Sequence, residues 1–249
     1  MHIMMTANAA WNIWNFRRPL VEALSEDGHR ITVLAPKDDA TTELERLNCR
    51  VRPLKMSVQG LNPLQDLKLQ LRFKRIFRDE EPDIVLSYTI KNNIFGAQAA
   101  QSVGIPFLPN VTGLGTAFLT GKLLQTIIEQ FYRKSFRALP TVFFQNEDDR
   151  DLFINRSMVQ ADQARLLPGS GIDLVRFAPI ETPPVDGPTI FLMISRLLRD
   201  KGVFEFVEAA RRIKSNHPQA RFQLPGPAAS KNPSAIDRTT TDSCIGYGL

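Results

Sequence analysis

The chain has 249 residues, 43% of them hydrophobic and 23% charged, with 31 basic residues against 26 acidic ones and a net charge of +5. That length allows one large domain or two smaller ones, and the composition has no signature of disorder. Excess positive charge favours anionic partners (nucleotides, anionic lipid or nucleic acid) without choosing among them.

Apolar runs reach only about six residues, too short to span a bilayer. The start "MHIMMTANAA" has neither a basic nor an extended apolar leader region, so the expected location is the cytoplasm. Cys49 and Cys244 are too few and too isolated for a disulfide framework, and Cys49 reads as a small buried strand residue. His2, His29 and His217 lie far apart with no metal-ligand spacing, so no metal site is expected.

In chain order, "HIMMTA" (2–7) reads as a short apolar strand, followed by a loop. "FRRPLVEALSEDGH" reads as a helix, because Phe16, Leu20, Val21 and Leu24 recur at helical spacing and Gly28 closes it. "RITVLAP" (30–36) and "CRVRPLK" (49–55) read as strands. "NPLQDLKLQLRFKRIFRDEEP" (62–82) reads as a long helix opened by Asn62-Pro63 and stopped before Pro82. Strand 83–88, a small-residue helix over 91–102, strand 106–111, a helix over 121–138, strand 141–146 and a helix from Glu147 follow. Such apolar strands separated by helices imply an α/β fold with parallel pairing and both faces covered. Four prolines in "LVRFAPIETPPVDGP" (174–188) mark a linker between a first domain over 1–173 and a second beginning at 189. There a strand (189–195), a helix over roughly 202–216 and "RFQLPG" (221–226) resume the pattern.

Ligands of parallel α/β sheets bind beyond the carboxyl ends of the strands, where helix N-termini present free N–H groups. Arg196 and Lys201 in "ISRLLRDKG" stand at such a place, although cations normally avoid the positive end of a helix. An anion between them would explain the pair, with Gly202 letting the backbone come close. Solvated charges, with Lys201 balanced by Asp200, would explain it equally well. In the loop after the first strand, Trp11 and Trp14 accompany Asn8, Asn12 and Asn15. A flat ring covers a pyranose face and an amide bonds hydroxyls, which suits carbohydrate, while a tryptophan that merely caps the sheet edge is the plainer reading for one of the two. Gly113 and Gly115 in "NVTGLGT" allow close backbone approach, although this pattern more often marks a turn. Lys91 begins the helix after strand 83–88 and is read equally as a contact for an anionic acceptor phosphate or as an exposed lysine. In "PGSGID" (168–173), Gly169, Ser170 and Gly171 are expected to shape a turn that Asp173 caps. No G-x-G-x-x-G follows the first strand, which weighs against a nicotinamide-dependent enzyme.

"MISRLLRDKGVFEFVEAA" (193–210) resembles the phosphate segment of the retaining glycosyltransferases of family 4, which have the GT-B fold of two Rossmann-like domains. "NFRRPLVEALSEDGHRITVLAP" (15–36), "YTIKNNIFGAQAAQSVGIPFLPNVTGLG" (88–115), "FFQNEDDRDLF" (143–153), "PGSGIDLVRFAP" (168–179) and "GPAASKNPSAI" (226–236) agree with that family in order and spacing, nearest to members that build O-antigen and capsular polysaccharides. The resemblance implies that Arg196 and Lys201 grip the diphosphate of a nucleoside-diphosphate sugar and that Asn8, Trp11, Asn12 and Trp14, with Gly113 and Gly115, face the cleft. No metal, cofactor or enzyme nucleophile is implied. The expected partners are a nucleotide-sugar donor, a saccharide or lipid-linked acceptor and the inner face of an anionic membrane, with no nucleic acid. Basic amphipathic helices over 62–80 (Lys68, Arg72, Arg75, Arg78) and 121–138 (Lys122, Arg133, Lys134, Arg137) would serve that contact, although helices covering a sheet with a basic outer edge are the safer reading.

Departures from the family are equally visible. Ala9 and Ala10 stand where its members usually carry a glycine-bearing loop, and Thr112 stands at or near the position where many carry a sugar-holding histidine. After Lys201 the only glutamates are Glu205 and Glu208, so the family's Glu-x7-Glu element is not found. The second domain is therefore expected to be truncated, with apolar sheet edges exposed and turnover impaired. A non-catalytic paralogue that binds saccharide, membrane or a partner chain is the alternative.

Overall fold

Continuous apolar strands can bury both faces only if crossover helices lie on each side of a parallel sheet. The computed structural model shows this arrangement and describes residues 1–57, 60, 62–114, 122–179, 187–226 and 235–236. Cα packing divides the chain into two units, Met1–Ala178 and Pro179–Leu249.

In the first unit, β1 (His2–Thr6), β2 (Arg30–Ala35), β3 (Arg50–Pro53), β4 (Ile84–Tyr88), β5 (Phe107–Val111), β6 (Val142–Phe144) and β7 (Ala164–Leu166) form one sheet in the order 3-2-1-4-5-6-7. Every pairing is parallel, from Ile3 opposite both Ile31 and Ile84 to Phe143 opposite Arg165. The order reverses at β1, and this switch point is where such sheets take ligands. Pro53 closes β3, an edge strand, where a missing N–H is tolerated.

Helices α1 (Ala10–Glu26) and α2 (Ala40–Arg46) cover one face, packed with Met5, Ile13, Val21, Val33 and Leu44. On the other face lie α3 (Pro63–Glu80), a π-helical turn Asn92–Gly96 running into α4 (Ala97–Gln101), α5 (Lys122–Phe136) and α6 (Glu147–Asn155), around Phe73, Phe77, Phe107, Tyr132 and Phe144. Asn62 opens α3 as its N-cap, accepting from Gln65 N at 3.1 Å, and Pro63 occupies the first turn. Cys49 is buried just before β3, and desolvation pushes its thiol up to about 11, leaving it unreactive.

The expected loop after β1 is instead the first part of α1. Ala10, Ile13, Arg17 and Val21 are all buried, a stripe with helical spacing that the sequence partly hides because one member is an arginine. Ala9, the N-cap, supplies no side-chain cap. The cap comes from far along the chain: Trp11 N donates to Asp38 Oδ2 at 2.9 Å, while Oδ1 of the same carboxylate accepts from Ala40 N at 3.0 Å at the start of α2. The helix ends after α1 lie close to expectation, β3, β6, β8 and β9 end two or three residues earlier than expected, and α2 and β7 were not anticipated.

The second unit contains β8 (Ile190–Leu192) and β9 (Arg221–Gln223), paired in parallel, and α7 (Val203–Asn216). Phe206 and Phe222 pack edge-to-face at 5.9 Å, but Ile190, Phe191, Leu192 and Ile194 are exposed. The fold class is thus the α/β, two-Rossmann-unit class expected, with the first sheet far larger than the second.

The fully buried Phe153 packs its ring 4.8 Å from Tyr132 and 5.1 Å from Phe144. Phe153→Ala should lower the unfolding free energy of the first unit by about 3–5 kcal/mol. A lower urea midpoint at unchanged slope would show it.

Candidate functional site

In the second unit, the chain leaves β8 through Ser195 and Arg196, buries Leu197 and Leu198, and makes a 3-10 turn over Arg199–Lys201 before α7. Arg196 and Lys201 are exposed on either side of that leucine anchor. Among the described residues neither side chain forms an ion pair, and Asp200 does not neutralise Lys201. By contrast, Arg199 lies over the Phe204 ring at 5.0 Å, and Glu208 is taken by Arg211 and Arg212. Gly202 is left-handed at φ 78°, which turns the chain from the 3-10 turn into α7 and would strain any side chain. A second glycine fixes the approach: a Cβ on Gly226 would lie 1.8 Å from the Ser195 carbonyl oxygen, so that position packs directly on the backbone beside Arg196.

In the first unit, polar groups collect at the carboxyl ends of β1, β4, β5 and β6. Thr6 Oγ1 donates to Leu34 O and accepts from Asn92 Nδ2 at 2.7 Å. Thr89, left-handed at φ 74°, donates to Asn92 Oδ1 at 2.9 Å, and Asn93 Nδ2 donates to Asn110 O at 2.9 Å. A left-handed threonine next to a π-helical turn is backbone strain of the kind that concentrates at binding sites. Arg17 is only 6% exposed and lies 4.4 Å above the Tyr88 ring. Burial pulls its guanidinium below the ordinary arginine value and raises the Tyr88 phenol. Asp173 Oδ1 accepts from Val175 N and Arg176 N at 2.9 and 3.0 Å, and these bonds hold its carboxyl below the usual range.

A family model, the glycosyl transferase 4-like domain, matches residues 13–169. The chain belongs to that family. Among curated relatives, the N,N'-diacetylbacillosaminyl-diphospho-undecaprenol alpha-1,3-N-acetylgalactosaminyltransferase of Campylobacter jejuni is 29% identical over 94% of this chain and 65% of its own length. The UDP-Gal:alpha-D-GlcNAc-diphosphoundecaprenol alpha-1,3-galactosyltransferase of Escherichia coli is 25% identical over 68% of this chain and 46% of its own. The chain therefore spans less than two thirds of either relative. Solved structures share the fold at low identity. Anabaena HepE in complex with UDP-glucose superposes with a TM-score of 0.72 at 17% identity, over 100% of this chain and 66% of that one. Sucrose-phosphate synthase from Thermosynechococcus elongatus gives 0.73 at 18%, over 100% and 68%. The fold is of the GT-B type.

Within this glycosyl transferase 4-like chain, the residues singled out from sequence fall into three groups. Arg196, Lys201 and Gly202 stand together at the start of α7. Asn8, half-buried after β1, and Thr112 and Gly113, directly after β5, lie along the carboxyl edge of the first sheet, with Gly113 at φ 134°. Gly115 lies outside the described residues. Trp11, Asn12 and Trp14 belong to the first turns of α1: Trp11 is 51% exposed and meets Phe16 edge-on at 5.5 Å, Asn12 is half-buried, and Trp14 packs against the core beneath the Arg18 guanidinium. Lys91 does not present a free ammonium, because its Nζ donates to Asp66 Oδ1 at 2.7 Å and both side chains are largely buried. Sequence reasoning passed over Arg17, Gln145 and the carboxylates of Asp38 and Asp66. Arg17 becomes visible only once α1 is begun at Ala10.

The two tryptophans should separate on truncation. Trp14→Ala should lower stability by about 2 kcal/mol, as for a partly buried large side chain, whereas Trp11→Ala should stay within about 0.5 kcal/mol of the parent. Chemical denaturation of both variants gives the comparison.

Proposed function

We propose that the protein takes part in retaining glycosyl transfer from a nucleoside-diphosphate sugar to a lipid-diphosphate-linked saccharide in cell-surface polysaccharide synthesis, on the cytoplasmic side of the membrane. The observation that carries this reading is the unpaired Arg196–Lys201 pair at the N-terminus of α7 in a glycosyl transferase 4-like chain. Two cations beside free helix N–H groups match a diphosphate in charge. Transfer breaks the bond between the anomeric carbon and the diphosphate oxygen, and its electron pair stays on that oxygen. Arg196 and Lys201 take up the charge as it grows, so their contacts strengthen in the transition state. The acceptor hydroxyl oxygen then bonds to the anomeric carbon and its proton passes to the departing diphosphate, on the same face of the sugar. A UDP-linked donor is the first choice, since HepE was solved with UDP-glucose and the E. coli relative is named for UDP-Gal.

The acceptor reading draws on α3. Leu69, Phe73 and Phe77 bury one face of this helix, but Leu64, Leu67 and Leu71 form an exposed stripe, each more than half exposed, beside exposed Lys68, Arg72, Arg75 and Arg78. An apolar stripe bordered by cations matches an anionic bilayer surface. The other basic helix differs, since Leu124, Ile128 and Phe131 of α5 face the core. Among the described residues no helix is long and apolar enough to cross a membrane.

Arg196→Ala and Lys201→Ala should each weaken UDP binding by roughly tenfold or more, as for loss of a charge-assisted contact. Calorimetry at low salt reads it, and unchanged affinity in both variants would remove the assignment. A Leu64→Ser/Leu67→Ser/Leu71→Ser variant should lose co-sedimentation with phosphatidylglycerol vesicles while its melting temperature stays near the parent's. Undiminished sedimentation would show that α3 is not the membrane face.

A further inference from the structure

Arg17 is a cation in an unusual setting. The residue is buried, and among the described residues no carboxylate lies within ion-pair range of its guanidinium. Neighbouring charges are already engaged: Arg18 Nε holds Glu22 at 2.7 Å, and Asp173 is bound to backbone amides. What Arg17 does have is neutral: the face of Tyr88, the carbonyl of Phe16 at 2.9 Å and the hydroxyl of Ser170. Its Nε, fully buried, has no acceptor. Desolvating a charge without a counter-ion is costly, and folds ordinarily avoid it or pair it.

The donors around it converge. Arg17 Nη1 and Gln145 Nε2, the latter from just beyond β6, both donate to the single oxygen Ser170 Oγ, Gln145 at 3.4 Å. Two donors from separate elements thus aim at one point, and a neutral hydroxyl occupies it. Ser170 is exposed and lies between Gly169 at φ 81° and Gly171 at φ 68°, a backbone able to carry the hydroxyl aside. Ser170 and Gly171 also line an open cavity of about 180 Å³ bordered by Trp14, Asn15 and the exposed Arg176. Arg17 itself stays behind that wall, one hydroxyl away.

We infer that Arg17, Gln145 and Ser170 form a phosphoryl-oxygen subsite in the first unit, separate from the Arg196–Lys201 pair and built to hold the diphosphate of a prenyl-linked acceptor. A phosphoryl oxygen takes the place of Ser170 Oγ on the guanidinium, supplies the missing negative charge, and receives the Ser170 O–H and the Gln145 amide as donors. The choice of a prenyl diphosphate rests on the proposed acceptor; the anion subsite rests on the residues alone.

Farnesyl diphosphate, inorganic pyrophosphate and UDP serve as probes on the 249-residue chain, by calorimetry, against Arg17→Met, Arg17→Lys and an Arg196→Ala/Lys201→Ala variant. Arg17→Met should weaken farnesyl diphosphate by tenfold or more and leave UDP within twofold, whereas the double variant should show the reverse. Arg17→Lys should recover part of the farnesyl diphosphate affinity. Melting temperature supplies an independent readout: an arginine kept for folding would make Arg17→Met markedly less stable, but an uncompensated buried charge predicts a Met variant at least as stable as the parent. Equal losses for farnesyl diphosphate and pyrophosphate would support the anion subsite while excluding a role for the prenyl chain. Unchanged farnesyl diphosphate affinity in Arg17→Met, no binding by the parent, or a strongly destabilised Met variant with normal binding by Arg17→Lys would overturn the inference. Loss of UDP binding in the double variant would stand in any of those cases, so the donor reading is judged separately.

Discussion

Parallel pairing of β1 with both β2 and β4 sends the chain out of the same sheet edge twice, at Asn8 toward α1 and at Thr89 toward the π-helical turn. Those departures lead to opposite faces, as the two separate core clusters around Ile13 and Phe73 record. The edge between them cannot be filled by either helix, so backbone and side-chain polar groups gather there without a sheet partner. Asn92 Nδ2 donates to Thr6 Oγ1 and Asn93 Nδ2 to the backbone oxygen of Asn110, while Asn93 Oδ1 and Asn110 Oδ1 stay buried without a partner. Arg17 is drawn into the same region because it occupies the inner face of α1. Parallel order thus leaves polar residues at the carboxyl edge, where sheets of this kind ordinarily take ligands.

The buried and site-lining cations differ in what holds them. Lys91, Arg133 and Arg156 are tied to buried or half-buried carboxylates and hold elements together: Asp66 joins the start of α3 to the turn after β4, and Glu129 joins α5 to the end of α6. Arg17, Arg196 and Lys201 have no such partner among the described residues.

Much of the fold was legible from the sequence because the strands are continuous apolar runs and two of the helices carry clear stops at Gly28 and Pro82. The start of α1 was not, because its cap is the carboxylate of Asp38, distant in sequence, and because Arg17 interrupts the apolar period. For α2 and β7 the difficulty is length: α2 has 7 residues and β7 only 3, too few for a period to show. Arg196 and Lys201 were legible as a pair, since both lie within a few residues of Gly202 at the start of α7. Lys91 misled for the opposite reason. Nothing local in "YTIKNN" announces Asp66, whose position beside it depends on how α3 crosses the sheet. Ser170 read as a turn residue, and only the convergence of Arg17 and Gln145 upon it gives it a second meaning.

The most direct measurement follows the arginine side-chain Nε–H resonances of the 15N-labelled chain as UDP and then farnesyl diphosphate are added. UDP should move the Arg196 signal and leave Arg17 in place. Farnesyl diphosphate should move Arg17, whose buried Nε proton would acquire an acceptor. Movement of both arginines by one ligand at equal concentrations, or of neither by both, would contradict a chain that carries two distinct anion grips, one in each of its α/β units.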